Sequence, residues 1–129
     1  MPHFIMEYSA NLDDDLDIPD LFEKLSATAV ATGVFPLGGI RFRAIRCEHF
    51  RVAEGDPENA FIQLTAKVGS GRSTDTLKAA ADKVFETFSE QLQPIYQKKF
   101  ISIGFELTEL HPVFNYRQNN IHEKLKSAP

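Results

Sequence analysis

Apolar and polar residues follow a regular pattern in the first half of the chain. Residues 3–8 are rich in strand-forming side chains and predict a short β-strand. After a polar stretch, Asp17 offers an N-cap and Gly33 a C-terminal stop, so the spacing between them predicts an amphipathic helix. Residues 40–52 then alternate loosely and predict a second strand. The inward-facing helix positions are Ile18, Leu21, Phe22, Leu25, Ala29 and Thr32.

The second half repeats this order of elements. Residues 61–68 predict a strand, and a second helix is expected from about Ser73. Pro94 is expected to kink or end that helix, because proline cannot donate a helical hydrogen bond. Residues 100–110 predict a last strand, and residues from Gln118 onward predict a short terminal helix. The apolar face of the second helix carries Leu77, Ala81, Val84, Phe88, Leu92 and Ile95.

Each half therefore forms a βαβ unit, and the halves divide a single domain at about residues 1–57 and 58–129. Two such units that share a sheet predict an α+β fold, in which a four-stranded mixed sheet carries two helices on one face. The other face of the sheet is left uncovered. Apolar residues on that face would require a partner chain, so we expect an oligomer.

The composition limits the class of protein. A chain of 129 residues with 43% hydrophobic and 25% charged residues is typical of one globular domain. Its 14 basic and 18 acidic residues give no global field that favours nucleic acid. One cysteine, Cys47, excludes an internal disulfide framework and is itself interpreted as a buried strand residue. No apolar run approaches membrane-spanning length and no leader is recognised, so we expect no membrane contact and a cytoplasmic location.

Four of the six arginines fall in one short segment, at positions 41, 43, 46 and 51. Arg41 and Arg43 are two residues apart in a predicted strand, so both side chains leave from the same face. Because arginine forms bidentate contacts with carboxylates, this cluster favours a small anionic ligand. A solvated strand face or an interface with an acidic surface would explain the same cluster.

Arg72 directly follows the turn Gly69-Ser70-Gly71 and precedes the second helix. Backbone N–H groups at a helix start favour anions, and Arg72 would add a guanidinium group to such a site. The turn lacks the lysine of a P-loop and the spacing of a dinucleotide fingerprint. By itself, therefore, it is equally a plain connection between a strand and a helix.

Pro2 follows the initiator methionine and precedes an apolar run. Removal of Met1 would leave Pro2 as a free secondary amine. Burial and nearby cations disfavour the charged form of an amine, so such a proline can act as an uncharged base at neutral pH. If Met1 is retained, the nitrogen of Pro2 is an amide and accepts no proton. Proline is also simply a common second residue.

Other chemistry has weaker support in the sequence. The histidines have no short-spaced ligand pair, so we expect no metal site. No Gly-x-Ser-x-Gly nucleophile motif is present. Asp13, Asp14 and Asp15 are interpreted as a solvated loop. Most phenylalanines are assigned to the core, although Phe35 or Phe42 is a candidate to line a pocket for an unsaturated ligand.

Six short stretches match one known group of proteins in the expected order along the chain. They are Pro2-His3-Phe4-Ile5, Ala31-Thr32-Gly33-Val34-Phe35-Pro36-Leu37, Gly39-Ile40-Arg41, Gly71-Arg72-Ser73, Glu109-Leu110-His111-Pro112 and Asn115-Tyr116-Arg117-Gln118-Asn119-Asn120. On these stretches the chain resembles the tautomerase superfamily, which includes macrophage migration inhibitory factor and 4-oxalocrotonate tautomerase. Within it, the chain is most similar to the 5-carboxymethyl-2-hydroxymuconate Δ-isomerase family.

The resemblance implies a cofactor-independent isomerase of tautomerase-like fold that assembles as a homotrimer. Pro2 takes the position of the family's general base, and Arg41 and Arg72 take those of arginines that hold and polarise the substrate. The strand pattern adds Arg43 as a further substrate-binding candidate, beside Phe35. The implied substrate is a conjugated 2-hydroxy dicarboxylate from homoprotocatechuate breakdown. Two alternatives stay open, a keto–enol tautomerase for phenylpyruvate-like acids, and a non-enzymatic binding domain if Met1 is retained.

Overall fold

Four strands form one mixed sheet in the computed structural model, which describes residues 2–127. The sheet order is β2-β1-β3-β4; β1 pairs in parallel with β2, β3 pairs in parallel with β4, and β1 and β3 are antiparallel. This confirms the predicted four-stranded mixed sheet built from two βαβ units. The strands are β1 (His3–Ser9), β2 (Arg41–Cys47), β3 (Ala60–Val68) and β4 (Ile101–Glu109).

The helices agree with the predicted caps. Asp17 begins the first helix by accepting a hydrogen bond from the Asp20 backbone N–H at 3.1 Å. Gly33 follows its end with a φ of +76°, a conformation that favours glycine. Pro94 lies inside the last turn of the second helix, which ends two residues later. The helices are α1 (Ile18–Ala31), α2 (Thr74–Tyr96) and α3 (Ile121–Ser127); none of residues 2–127 forms a helix long and apolar enough to cross a membrane.

The core lies between the sheet and the two long helices. The even-numbered residues of β1 and β3 face this layer and are buried, as the alternation of a strand requires. Phe4 stands at one end of it, where its ring stacks on Phe42 with centroids 4.5 Å apart. Phe35 meets Phe4 edge-on at 6.4 Å, and this aromatic contact fixes the loop before β2 against the start of β1.

The opposite face of the sheet is open and carries both polar and apolar residues. Ile5 and Phe61 are partly buried there, and Ile45 of β2 is 47% exposed. Other exposed apolar side chains flank β4. Phe100 precedes β4, and Val113, Phe114 and Tyr116 follow it with exposed fractions of 65–85%. The expectation that a partner chain covers apolar residues on the open face stays a prediction.

The acidic loop is more structured than the predicted solvated stretch. Leu12 within it is fully buried, and the Asp15 carboxylate lies 2.6 Å from Lys99 Nζ and 3.2 Å from Lys98 Nζ. The hydrogen bond from Lys99 is the main reason that the pKa of Asp15 is lowered. Asp13 pairs with Arg46 at 2.8 Å. Asp13 and Asp14 are exposed, as predicted for a solvated loop, and only Asp15 is partly buried.

Candidate active site

Pro2 lies directly before β1, which is a central strand of the sheet. Its side chain is fully buried, and its carbonyl accepts the Arg41 backbone N–H at 3.1 Å. On the other edge of β1, the register with β3 pairs His3 with Lys67. Extending that register by one residue places Pro2 opposite Val68, where β3 ends. The start of β1 is therefore fixed at the end of the sheet where β2 begins and β3 finishes.

A cavity of about 480 Å³ lies at this same end of the sheet. It is formed by the loop before β2, the turn after β3 and the segment after β4. Two arginines line it, and no aspartate or glutamate is among its lining residues in the described range 2–127. Such a lining favours an anionic ligand. The lining residues are Pro36, Gly39, Gly69, Ser70, Arg72, Arg117, Asn119 and His122.

Arg72 is held in place from two sides. Its Nη2 donates a hydrogen bond to the Val34 carbonyl at 2.9 Å, and its guanidinium carbon lies 5.6 Å from the centre of the Phe35 ring. Phe35 is only 3% exposed and packs against Phe4. The structure thus places Phe35 in the core beneath Arg72, and not among the lining residues that the sequence prediction suggested.

The predicted arginine cluster separates into groups with different surroundings. Arg41 is not itself a lining residue, but its Nη1 donates at 2.9 Å to the carbonyl of Gly39, which is one. We call this position, next to a lining residue, the rim of the cavity. Arg43 is exposed, with its Nη1 at 3.3 Å from His3 Nδ1. Arg46 is paired with Asp13. Arg41 is joined to Pro2 directly, through the backbone hydrogen bond, whereas Arg43 contacts the next residue, His3.

Three lining residues of the cavity come from the segment after β4 and were given no role from the sequence. Asn119 Nδ2 donates to the Gly38 carbonyl at 2.8 Å. The ring of His122 lies against the same glycine, and a Cβ added at Gly38 would stand 2.5 Å from His122 Nδ1. Gly38 therefore permits the close approach that places Arg117 at the cavity. The matching stretch at residues 115–120 was the one signal in the sequence.

The charges at this end of the sheet are predominantly positive. The pKa of His3 is lowered by partial burial and then by the positive charges of Arg43, Arg41 and Lys67. An imidazole with a lowered pKa is neutral at pH 7. The region next to Pro2 thus disfavours any additional positive charge and favours a negative one.

Comparisons with known proteins agree on one family. Residues 2–125 match the family model described as 5-carboxymethyl-2-hydroxymuconate isomerase. The chain is 38% identical over 126 residues to the 5-carboxymethyl-2-hydroxymuconate Delta-isomerase of Escherichia coli, covering 98% of this chain and 100% of that protein. This confirms the resemblance seen in the short stretches.

Solved structures give the same result for the fold. A 5-carboxymethyl-2-hydroxymuconate isomerase from Deinococcus radiodurans R1 superposes with a TM-score of 0.90 at 31% identity, covering 96% of this chain and 93% of that one. A structure described as "Q0 fused 4-OT wild type symmetric trimer" superposes with a TM-score of 0.61 at 14% identity, covering 84% and 85% of the two chains. The latter likeness concerns the fold alone.

The lowered pKa of His3 predicts a pH-dependent stability. The unfolded chain takes up a proton on this histidine near its ordinary pKa of 6.5, whereas the folded protein resists protonation to lower pH. The free energy of unfolding should therefore fall as the pH drops below about 6.5. Urea unfolding between pH 5 and 8, at one protein concentration, should show a weaker fall for His3→Gln than for the wild type. His49→Gln is the control, and identical slopes for all three proteins would contradict the assignment.

Proposed function

This chain belongs to the 5-carboxymethyl-2-hydroxymuconate isomerase family and is an isomerase, and we propose that it isomerises 5-carboxymethyl-2-hydroxymuconate itself. The observation that carries the proposal is the cavity lined by Arg72 and Arg117, without a lining carboxylate in the described residues, at the end of the sheet where Pro2 begins β1. A site of this composition suits a small polyanion.

The substrate named for the Escherichia coli relative is more highly charged than the dicarboxylate that the sequence interpretation proposed. Muconate has a carboxylate at each end, and the carboxymethyl group adds another. The proposed ligand is thus a tricarboxylate with a conjugated 2-hydroxy diene. The cationic lining of the cavity, with Arg41 at its rim, supports a ligand with this charge.

We propose Pro2 as the general base once Met1 has been removed. The support is its burial, and the neighbouring Arg41, Arg43 and Lys67 charges that lower the pKa of His3 one residue away. The same burial and charges would disfavour a protonated amine at residue 2. A neutral secondary amine can accept a proton from the substrate and return it, which is worth about 10²–10⁴ in rate for a positioned base.

The proposed reaction moves one proton and shifts the double bonds. The neutral Pro2 nitrogen accepts the proton of the 2-hydroxyl group, and negative charge develops on the 2-oxygen of a dienolate. The protonated Pro2 then returns that proton to a carbon of the diene, C3 or C5. Because the diene itself delocalises the charge, the proposed mechanism uses no cofactor and no metal ion.

The arginines have separate proposed roles. Arg41, at the rim, binds the carboxylate next to the 2-oxygen and stabilises the developing charge. Arg72 binds a distal carboxylate, and Phe35 supports it from the core. Arg43 is exposed, so we assign it to attracting the anion along the open face of the sheet.

We also propose that the protein is a homotrimer. The fold neighbour described as a symmetric trimer supports this. So do the apolar side chains after β4, since Val113, Phe114 and Tyr116 are at least 65% exposed in a single chain. A neighbouring copy that packs on this segment would bury them and hold the segment that carries Arg117.

Replacement of Arg72 should separate a substrate-binding role from a general effect of charge. We expect Arg72→Ala to lower kcat/KM by about 10²–10³-fold, because a preorganised cation is lost from the cavity. Lys78→Ala is the control, because Lys78 is an exposed residue of α2 paired with Asp82. The measurement is a spectrophotometric assay of 5-carboxymethyl-2-hydroxymuconate. Equal rates for the two variants would remove Arg72 from the site.

The same assay distinguishes the alternative activities. A preference of the wild type for the enol of phenylpyruvate, which has one carboxylate, would favour a keto–enol tautomerase of another specificity. No turnover of either compound by protein lacking Met1 would favour a binding domain.

The trimer is tested by sedimentation equilibrium of the purified protein. We expect a mass three times the 14.5 kDa of one chain. Phe114→Glu should shift the equilibrium toward smaller species, because it places a charge in the proposed contact. A single 14.5 kDa species for the wild type at micromolar concentration would contradict the assembly.

A further inference from the structure

Arg117 is an arginine of the cavity to which neither the family comparison nor the sequence prediction gave a role. Resting on the proposed function, we propose that Arg117 binds the carboxylate of the carboxymethyl group, and that it makes the site selective for tricarboxylates over dicarboxylates. The residue reaches the cavity from the segment after β4, whereas Arg72 comes from the turn after β3. The two cations therefore approach the ligand from separate parts of the chain.

The hydrogen bonding of the arginines singles out Arg117. Each of the other five has a polar partner within the protein. Among the residues that the structure describes, Arg117 has no hydrogen bond or ion pair, although it lies at a cavity with a second guanidinium group. The partners of the others are Gly39 O for Arg41, His3 for Arg43, Asp13 for Arg46, Glu54 O for Arg51 and Val34 O for Arg72. An external anion would supply the partner that Arg117 lacks.

The backbone that carries Arg117 is held firmly two residues later. Asn119 donates to the Gly38 carbonyl and accepts the Ile121 backbone N–H, each at 2.8 Å. The ring of His122 packs against Gly38 at the position that a side chain would occupy. The α carbon of Arg117 is therefore placed by local anchors, while its side chain keeps the freedom to close on a ligand.

Arg72 and Arg117 are suited to bind separate carboxylates. The hydrogen bond to Val34 uses one N–H of Arg72 and leaves other donors of its guanidinium group available. Arg117 has all of its donors available among the described contacts. With Arg41 at the rim, the site offers one guanidinium group for each carboxylate of the proposed substrate.

The carboxymethyl group is the part of the ligand that Arg117 should recognise. 2-Hydroxymuconate has the same hydroxydiene and both terminal carboxylates but lacks this group. A charge-assisted hydrogen bond is strong enough to change affinity by about 10- to 100-fold. Loss of Arg117 should therefore weaken the tricarboxylate and leave the dicarboxylate largely unaffected.

The test measures Arg117→Gln on both compounds. We expect KM for 5-carboxymethyl-2-hydroxymuconate to rise about 10- to 100-fold, and KM for 2-hydroxymuconate to change by less than about 2-fold. Arg117→Lys keeps the charge but not the planar fork and should fall between wild type and Arg117→Gln. Lys126→Gln removes a charge from the same terminal segment outside the cavity lining and should match the wild type. An equal change on both compounds, or on neither, would overturn the proposal.

A binding measurement keeps this inference separate from the proposed activity. Propane-1,2,3-tricarboxylate has no diene to isomerise, and its affinity can be measured by titration calorimetry on the full chain. We expect the wild type to bind it more tightly than Arg117→Gln, with unchanged circular dichroism, even if neither protein turns over a dienol. That result would support Arg117 while rejecting the activity. Equal affinity, or no binding by the wild type, would reject the role of Arg117.

Discussion

The site depends on the position of β1 in the middle of the sheet. β1 is bonded on one side to β2 and on the other to β3, so the residue before it has little freedom. Pro2 is buried there, and its carbonyl is fixed by the Arg41 backbone N–H. Pairing on both edges of β1 holds Pro2 at the end of the sheet, beside the cavity. The proposed removal of Met1 would place a free amine at this fixed position.

The positions of the arginines make that end of the sheet positively charged. The arginines away from the cavity have partners within the protein, as in the pair of Arg46 with Asp13. Those near it, Arg41, Arg72 and Arg117, face no lining carboxylate among the described residues. The pKa of His3 is lowered by burial and, after that, by the positive charges of Arg43, Arg41 and Lys67. A field that opposes protonation of an imidazole also favours a bound polyanion, so the proposed base and the proposed ligand depend on one arrangement of charge.

Local sequence patterns, such as helix caps and strand periodicity, predicted the fold better than they predicted the site. Helix α1 follows from the cap at Asp17 and the stop at Gly33, and the strand pairing follows from the repeated βαβ pattern. Residues whose role depends on distant contacts were missed or misplaced. The sequence around Phe35 does not show whether its ring packs in the core or lines a pocket. Arg117 follows the last strand, where no hydrophobic periodicity shows that the chain returns to Gly38. The division near residue 57 into two halves stays a prediction.

The central claim is that an unblocked Pro2 nitrogen performs the proton transfer, and removal of Met1 tests it most directly. Protein that retains Met1 should be assayed before and during treatment with a methionine aminopeptidase, while intact mass follows the loss of methionine. The account predicts that isomerase activity appears in proportion to the processed fraction, because only a free amine can accept the proton. Full activity in protein whose mass still includes Met1 would contradict it.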